Sequence, residues 1–327
     1  MSTRDKLLEL LESSSGEYLS GEEIAEKLNI SRTSVWKAVN SLKKDGYDIR
    51  SLHNKGYSLD ANADILSEYG IRKFLNGKNK GLDFDIREEV TSTNALLKKR
   101  GDNGEKADLV MIAVKQTEGR GRFGRSFFSP SGTGLYMSIL LRPVNTTVAE
   151  ATMYTTMAAV AAMKAVEELT GCRPSIKWVN DLYMDNRKVC GILTEASVNM
   201  ENGCIDYAVL GIGFNLYPPS GGFPEDIENK AGSILKYSRA DSRNKLAAFF
   251  LNEFMEYYRS GSRSSYIDEY RAGSMVIGER VNVIMPDSER EAYVLDVDEE
   301  CRLVVRYDDG SEEKLSNGEV SIRRIEG

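Results

Sequence analysis

The chain has 327 residues, 41% hydrophobic and 28% charged, enough for two or three domains with real cores and ordinary for a soluble globular protein. No apolar run is long enough to span a bilayer and no signal-peptide pattern opens the chain, so a cytoplasmic protein is expected. A single histidine, His53, excludes a Ser-His-Asp triad and a His-rich zinc site, while the four cysteines (Cys172, Cys190, Cys204, Cys301) lack metal-ligand spacing. Lysine, arginine, aspartate and backbone dipoles are left to carry any chemistry. The net charge of −7 is unevenly placed: residues 275–327 hold 7 Lys/Arg against 14 Asp/Glu, whereas residues 31–57 hold 6 against 2, and a local basic patch in an acidic chain is the more informative of the two.

Leu7, Leu8, Leu10 and Leu11 share one face of a short first helix. A second helix starts at Ser20, where Ser20-Gly-Glu-Glu23 spells a capping box ahead of Ile24, Ala25 and Leu28. After a tight turn at Asn29 and Ile30, Ser31 caps a third helix with Val35, Ala38, Val39 and Leu42 inward, and Gly46 closes it. Two helices joined by a short turn form a helix-turn-helix. Its outward residues, Ser31, Arg32, Thr33, Ser34, Lys37 and Asn40, are types that reach phosphates and base edges. Residues 47–59 read as a two-stranded wing turning at Lys55-Gly56 and carrying basic Arg50, His53 and Lys55. The pattern predicts a winged helix-turn-helix DNA-binding domain over 1–62; the alternative is a three-helix protein-interaction module with solvated charges. Trp36 is expected as a core anchor or a platform for the wing, and residues 60–64 as a hinge.

A helix through 66–75 opens a second domain, 63–273. Phe84, Ile86 and Val90 suggest a strand, and Thr91-Ser92-Thr93-Asn94 opens a helix over 95–100; such a cluster caps the helix or binds a polar ligand head group. An apolar strand at 109–114 delivers Lys115, Gln116 and the stretch 119–130, in which three glycines alternate with three arginines. Glycine permits positive φ and bare N–H groups, and arginine supplies a charged planar fork. The spacing spells Gly-x-Gly-x-x-Gly, but a dinucleotide-binding turn opens directly into a helix, and here Phe127, Phe128, Pro130 and a strand at 135–141 follow. An anion-binding loop is the reading, a flexible surface loop the alternative. Residues 148–169 have helical period, with Met153, Met157 and Met163 as core. In 176–183 a lysine, a tryptophan, an asparagine and an aspartate crowd onto one short element, so several are expected to meet a ligand, a metal or each other. A turn at 184–187 leads to Lys188; alternation puts Lys188, Cys190, Ile192 and Thr194 on one strand face and Val189, Gly191, Leu193 and Glu195 on the other, with Gly191 leaving room beside the lysine. Asn202-Gly203 marks a hairpin, Gly211 and Gly213 imply close approach to the returning strand, and Asn215 ends it. A loop at 218–230, an amphipathic helix at 242–258 and short alternating strands in 274–327 complete the chain.

Six motifs in this order, Thr91-Ser-Thr-Asn94, Gly119-Arg-Gly-Arg-Phe-Gly124, Lys177-Trp178-x-Asn180-Asp181, Lys188 with Gly191, Gly211-Ile-Gly-Phe-Asn215 and Gly318-Glu319-Val-Ser-Ile-Arg323, make the whole chain resemble the bifunctional biotin–protein ligases that also act as biotin-operon repressors. One departure is Val179, where that family usually has a proline that would stiffen the turn. The resemblance implies an α+β multidomain fold: a winged helix-turn-helix, a central mixed-sheet α/β ligase domain like the class II aminoacyl-tRNA synthetases, and an SH3-like barrel at 274–327. It implies a two-step reaction, in which biotin's carboxylate attacks the α-phosphate of Mg²⁺-ATP to give biotinyl-5′-AMP, and a lysine of a biotin carboxyl carrier protein then takes the biotinyl group.

By the same resemblance Ser92, Thr93, Asn94, Gln116, Gly119, Arg120, Arg122, Lys188 and Gly191 line the biotin and phosphate region. Lys188 bridges the biotin carboxylate and the α-phosphate, and Arg122 holds the adenylate phosphate. Arg122, Arg125, Phe128, Lys177, Asn180 and Asn215 contact the nucleotide, Asp181 takes Mg²⁺, and residues 223–233 close over adenine. Glu319 and Arg323 face the active site, with a passive cap as the alternative for the C-terminal module, whose acidity argues against nucleic acid there. The implied partners are the carrier protein, operator DNA under control of biotinyl-5′-AMP as corepressor, and a second copy in a ligand-enhanced homodimer, with no membrane. Two other readings stay open: a ligand-responsive transcription factor with a degenerate ligase domain, and an acyl-carrier ligase for lipoate.

Overall fold

Serine side chains start the first three helices. Ser2 and Ser20 form capping boxes with Asp5 and Glu23 at the heads of α1 (Thr3–Ser13) and α2 (Gly21–Leu28). Asn29 ends α2 in the left-handed region, φ 51°, and Ser31 Oγ accepts the Ser34 N–H at 3.1 Å at the head of α3 (Arg32–Lys44). A two-stranded wing follows, β1 (Ile49–Leu52) antiparallel to β2 (Gly56–Leu59). The core of this part includes Leu7, Leu8, Leu11, Ile24, Val35, Ala38, Val39 and Leu42, as the helical periods predict, and the wing adds Ile49 and Leu59 to it. Trp36 is different: it is 58% exposed, neither a core anchor nor buried under the wing, because Val35, Ala38, Val39 and Leu42 already fill the inward face of α3.

The computed structural model describes residues 2–44, 47–60, 64–261, 264–285, 288–316 and 319–322; Gly46, hinge residues 61–63, Gly318 and Arg323 lie outside them. Two compact units result, Met1–Phe74 with Ser238–Lys245, and Leu75–Tyr237 with Leu246–Gly327. In the first, the helix expected at 66–75 is only α4 (Glu68–Arg72), since Ser67 caps it from outside (Gly70 N–H to Ser67 Oγ, 2.9 Å) and Gly77 begins a separate 3₁₀ turn.

The second unit is built on a seven-stranded mixed sheet. In chain order its elements are β3 (Asp83–Val90), α5 (Thr93–Asp102), β4 (Leu109–Gln116), β5 (Gly134–Leu141), α6 (Thr152–Thr170), β6 (Ser175–Lys177), β7 (Asp181–Met184), β8 (Arg187–Val198) and β9 (Ile205–Asn215). The strand order is β3-β4-β5-β9-β8-β7-β6, with β3 and β4 parallel and the other pairs antiparallel. β5 is an interior strand buried along its whole length, which explains its largely apolar sequence. The alanines of α6 lie fully buried with Met157 and Met163, while Met153 is half-buried. Positive φ at Asp185 and Asn186 makes the tight turn joining β7 to β8. Helices α7 (Ser242–Ser260) and α8 (Ser264–Gly273) follow, then a five-stranded antiparallel sheet of β10 (Arg280–Met285), β11 (Ser288–Val297), β12 (Leu303–Tyr307), β13 (Glu312–Leu315) and β14 (Glu319–Ile322), ordered β13-β12-β11-β10-β14. Among the described residues no helix is long and apolar enough to cross a membrane.

One buried carboxyl in the first unit sets a pH dependence. Glu12 Oε2 accepts the Ser67 hydroxyl at 2.9 Å, its Oε1 has no hydrogen bond, and burial pushes its pKa up from 4.5 to about 7 against the lowering effects of Ser67 and Lys73. A raised carboxyl pKa means that the folded state holds the proton more tightly, so stability falls as pH rises from about 4.5 to about 7 and stays reduced above that. Glu12→Gln is expected to resist urea better than wild type at pH 8, by on the order of 1–3 kcal/mol, and to match it near pH 5; an equal difference at both pH values contradicts this.

Candidate functional site

The site forms where parallel β3 and β4 end together. Val90 lies in register with Gln116, so the turn after β3 and the loop after β4 open at one edge, a usual position for a ligand pocket. Ser92 serves as the N-cap of α5. Thr93 then donates to Gln116 Oε1 from its N–H (2.9 Å) and hydroxyl (3.1 Å), and Gln116 Nε2 donates to Ser129 Oγ at 3.1 Å. Asn94 Nδ2 donates to the Leu193 carbonyl (3.2 Å) and Glu195 (3.0 Å), while its Oδ1 accepts the Ser138 hydroxyl at 2.6 Å. Capping and lining are therefore divided within the cluster: Ser92 does both, and Thr93 and Asn94 line the pocket from the first turn.

Glycines on two strands let these groups lie on the sheet. A Cβ at Gly211 would sit 2.0 Å from Asn94 Oδ1, and one at Gly213 would sit 2.5 Å from the Phe127 ring. The Phe127 ring is held edge-on to Tyr136, centroids 6.4 Å apart.

The arginine loop is a short hairpin. Phe127 N–H donates to Gly119 O (2.8 Å), Gly121 N–H donates to Arg125 O (2.7 Å), and Arg120 bridges Ser126. A Cβ at Gly119 would lie 2.4 Å from the Phe127 carbonyl, so that glycine shapes the hairpin from outside the pocket. The tip turns through positive φ at Phe123 (56°) and Gly124 (73°). Arg122 donates to Asn180 Oδ1 at 3.1 Å and lies over the Phe123 ring at 4.8 Å. Arg120 and Arg122 line the pocket. Arg125 is exposed on the hairpin's returning arm, and Phe128 meets Phe223 edge-on at 6.5 Å, joining this loop to the one at 218–230.

Lys188 departs from simple alternation. The register of β7 and β8 shifts between Leu182 and Tyr183: Asp181 opposes Gly191 and Leu182 opposes Cys190, but Tyr183 opposes Lys188. The extra residue, Val189, turns Lys188 onto the face of Gly191 instead of the opposite one. A Cβ at Gly191 would come within 3.2 Å of Lys188 Nζ and 3.1 Å of Phe127. The ammonium lies 2.7 Å from Asp181 Oδ1, an ion pair in which that oxygen makes no aligned hydrogen bond. The Lys188 backbone is held by Lys230 O (2.7 Å), by Gly232 N–H (2.9 Å) and by Asn215 Nδ2 (3.3 Å). Asn180 donates to Ile192 O at 2.9 Å. Lys177 lies over the Tyr183 ring at 5.5 Å, outside the pocket lining. The peptide between Trp178 and Val179 is cis. Cys190 is fully buried on the sheet's far side, where burial, reinforced by nearby Asp181, holds its thiol well above its usual range.

Of the expected residues, Ser92, Thr93, Asn94, Gln116, Arg120, Arg122, Asn180, Lys188 and Gly191 share one pocket; Gly119, Asp181 and Asn215 stand behind it, and Arg125, Phe128 and Lys177 outside it. The pocket also includes Phe127, Met137, Leu193, Gly211 and Gly213, with Ser138 beneath. Ser138 stands out as the one serine in an otherwise largely apolar interior strand; Phe127 gives no such signal. Mg²⁺ is usually held by one or two carboxylates plus phosphate oxygens and water. Among the described residues Asp181 offers one carboxylate, held only by its ion pair with Lys188 and without an aligned hydrogen bond on Oδ1, which fits that pattern, and no three His, Cys, Asp or Glu side chains gather to hold a metal alone.

A pocket that sets an ammonium and two guanidinium groups among fixed amides and hydroxyls has the chemistry to receive a small carboxylate or phosphate, and it is carried here in one chain with a winged helix-turn-helix. Residues 86–215 match the Biotin/lipoate A/B protein ligase family, residues 3–58 an HTH domain, and residues 276–323 the Biotin protein ligase C terminal domain. The chain is 32% identical over 263 residues to the bifunctional ligase/repressor BirA of Bacillus subtilis, covering 79% of this chain and 80% of that one. It is 29% identical over 325 residues to the Escherichia coli protein of the same name, 98% of this chain and 97% of that one. The chain belongs to the bifunctional biotin ligase/repressor family. The fold is also that of a biotin protein ligase from Aquifex aeolicus solved in complex with biotin and ATP, at a TM-score of 0.60 and 24% identity over 74% of this chain and 99% of that one.

Proposed function

We propose that the chain joins biotin to a carrier-protein lysine by way of biotinyl-5′-AMP, and that the same adenylate makes it a repressor of biotin-responsive genes. The observation that carries the catalytic part is Lys188 lying over side-chain-free Gly191 and 2.7 Å from Asp181, with Arg122 fixed nearby on Asn180. A partly buried ion pair returns little net free energy once desolvation is counted, so a ligand anion competes readily for the ammonium.

Biotin's carboxylate enters beside the Thr93, Asn94 and Gln116 lattice. Lys188 turns from Asp181 to the carboxylate and the α-phosphate oxygen, offsetting the repulsion between two anions that must touch. A carboxylate oxygen forms the new bond to the α-phosphorus, the bond to the β-phosphate oxygen breaks, and pyrophosphate leaves. No proton transfer is required, consistent with a chain holding one histidine, His53, far from these motifs in sequence. Mg²⁺, with Asp181 as its protein ligand, supplies further charge neutralisation on the triphosphate when bound. Arg120 and Arg122 retain the mixed anhydride through its phosphate. The carrier lysine's neutral amine then attacks the acyl carbon, the C–N bond forms as the bond from the acyl carbon to the phosphate oxygen breaks, AMP departs and the amine's extra proton passes to solvent. Arg125, Phe128, Lys177, Asn215 and residues 223–233 act on the nucleotide side, where the Phe128–Phe223 contact supports joint movement of the two loops. Similarity to bifunctional ligase/repressors over most of the chain supports biotin over lipoate. Carrier protein, operator DNA and a cytoplasmic location follow from this reading.

Purified protein should release pyrophosphate from ATP only when biotin is present, and lipoate should not replace biotin. Lys188→Ala should lower that rate roughly a hundredfold to a thousandfold, the usual effect of removing one preorganised charge stabiliser, with its melting profile retained; release at the wild-type rate contradicts the role given to Lys188. The regulatory part predicts linkage: if adenylate favours the homodimer and the homodimer favours operator DNA, adenylate must tighten DNA binding by the free energy with which DNA tightens adenylate. Equal DNA affinity with and without adenylate, measured by gel shift, contradicts it.

A further inference from the structure

The indole of Trp36 is where the winged unit departs from ordinary burial. Thr33, Trp36, Lys37 and Asn40 fall at i, i+3, i+4 and i+7 on α3 and are all exposed, forming one stripe opposite the buried Val35–Val39–Leu42 face. Trp36 is the large apolar group at its centre, 58% exposed, whereas a tryptophan is ordinarily mostly buried. Its surroundings are basic: residues 31–57 hold 6 Lys/Arg against 2 acids in a chain of net charge −7. Two of those cations are already engaged, Lys43 donating to Ser51 at 2.8 Å and Arg50 pairing with Asp60 at 2.5 Å. The first of these ties the end of α3 to the wing and fixes how the stripe is presented.

An apolar centre in a basic frame fits a polyanion with an apolar feature at the bottom of a groove. Duplex DNA offers one: the thymine C5-methyl in the major groove, which apolar side chains contact. We infer that Trp36 is a base-reading residue of this chain, packing against a thymine methyl while Thr33 and Asn40 flank it and Lys37 faces phosphate. A second protein surface is the less fitting occupant, because the interface core around a buried tryptophan is depleted of charge, and this stripe is not. The inference rests on the DNA-binding reading above and adds to it which side chain confers sequence preference.

The test is a binding-site selection by the full chain from a random-sequence duplex library with biotin, ATP and Mg²⁺ present, run in parallel for wild type, Trp36→Ala and Trp36→Phe. Wild type should enrich a motif with a thymine that the alanine variant no longer demands and the phenylalanine variant partly keeps. Replacing that thymine by uracil, which removes only the methyl, should weaken wild-type binding several-fold and leave Trp36→Ala unchanged, with melting midpoints equal among the three proteins. Identical motifs for wild type and Trp36→Ala, or no effect of uracil at any selected thymine on wild type, overturn the inference while leaving DNA binding standing. Loss of dimerisation in Trp36→Ala with an unaltered motif overturns it in favour of a second copy. No enrichment by wild type removes the DNA-binding reading itself and this inference with it.

Discussion

What this pocket can hold depends on three places where the sheet carries no side chain. Gly191 on β8 and Gly211 and Gly213 on β9 leave bare backbone on which Lys188, Asn94 and Phe127 lie, and a Cβ at any of the three would stand within 3.2 Å of its neighbour. Contacts below 3 Å have no accommodation in a close-packed interior. Asn94 is further pinned by Ser138, Leu193 O and Glu195, so it has nowhere to retreat. Glycine in a strand is costly in conformational entropy, and here that cost is offset by a floor flat enough to bring an ammonium, an amide and an aromatic ring onto one face.

Charge is arranged around that floor with little to spare. Lys188 is shared with Asp181, Arg122 with Asn180 and the Phe123 ring, and the lattice through Thr93, Gln116 and Ser129 fixes the neutral donors. The C-terminal sheet joins in through Trp178, 3% exposed, whose indole N–H donates to Cys301 O at 3.1 Å. Tyr270 bonds the Val179 carbonyl next to it at 3.2 Å. The turn that presents Asn180 and Asp181 is therefore held by side chains and backbone distant in sequence. That gives the C-terminal module a structural part in the site even though its own Arg323 lies outside the described residues.

Much of this was legible from residue patterns because the physics is local. The capping box at Ser20, the serine cap at Ser31, the apolar period of α3, the Asp185-Asn186 turn and the bare glycines of β9 each depend on neighbours within a few residues. The misreadings share the opposite property. Alternation placed Lys188 opposite Gly191, and only pairing with β7 reveals the bulge at Val189. Trp36 looked like core because tryptophan usually is, but burial is decided by whether Val35, Ala38, Val39 and Leu42 already fill the available face. Phe127 carries no local signal because its role is to cover Gly213 and Gly191, which are distant in sequence.

Adenylate formation depends on that flat floor to admit the reacting groups. The most direct measurement is single-turnover formation of biotinyl-5′-AMP by Gly213→Ala, whose methyl would sit 2.5 Å from the Phe127 ring, beside Gly77→Ala, which meets nothing within 4 Å. The predicted result is adenylate formation slowed at least about tenfold in Gly213→Ala, a misplacement effect of the kind small shifts produce in preorganised sites, with Gly77→Ala at the wild-type rate and both proteins folded. Wild-type adenylate formation by folded Gly213→Ala would contradict the central claim.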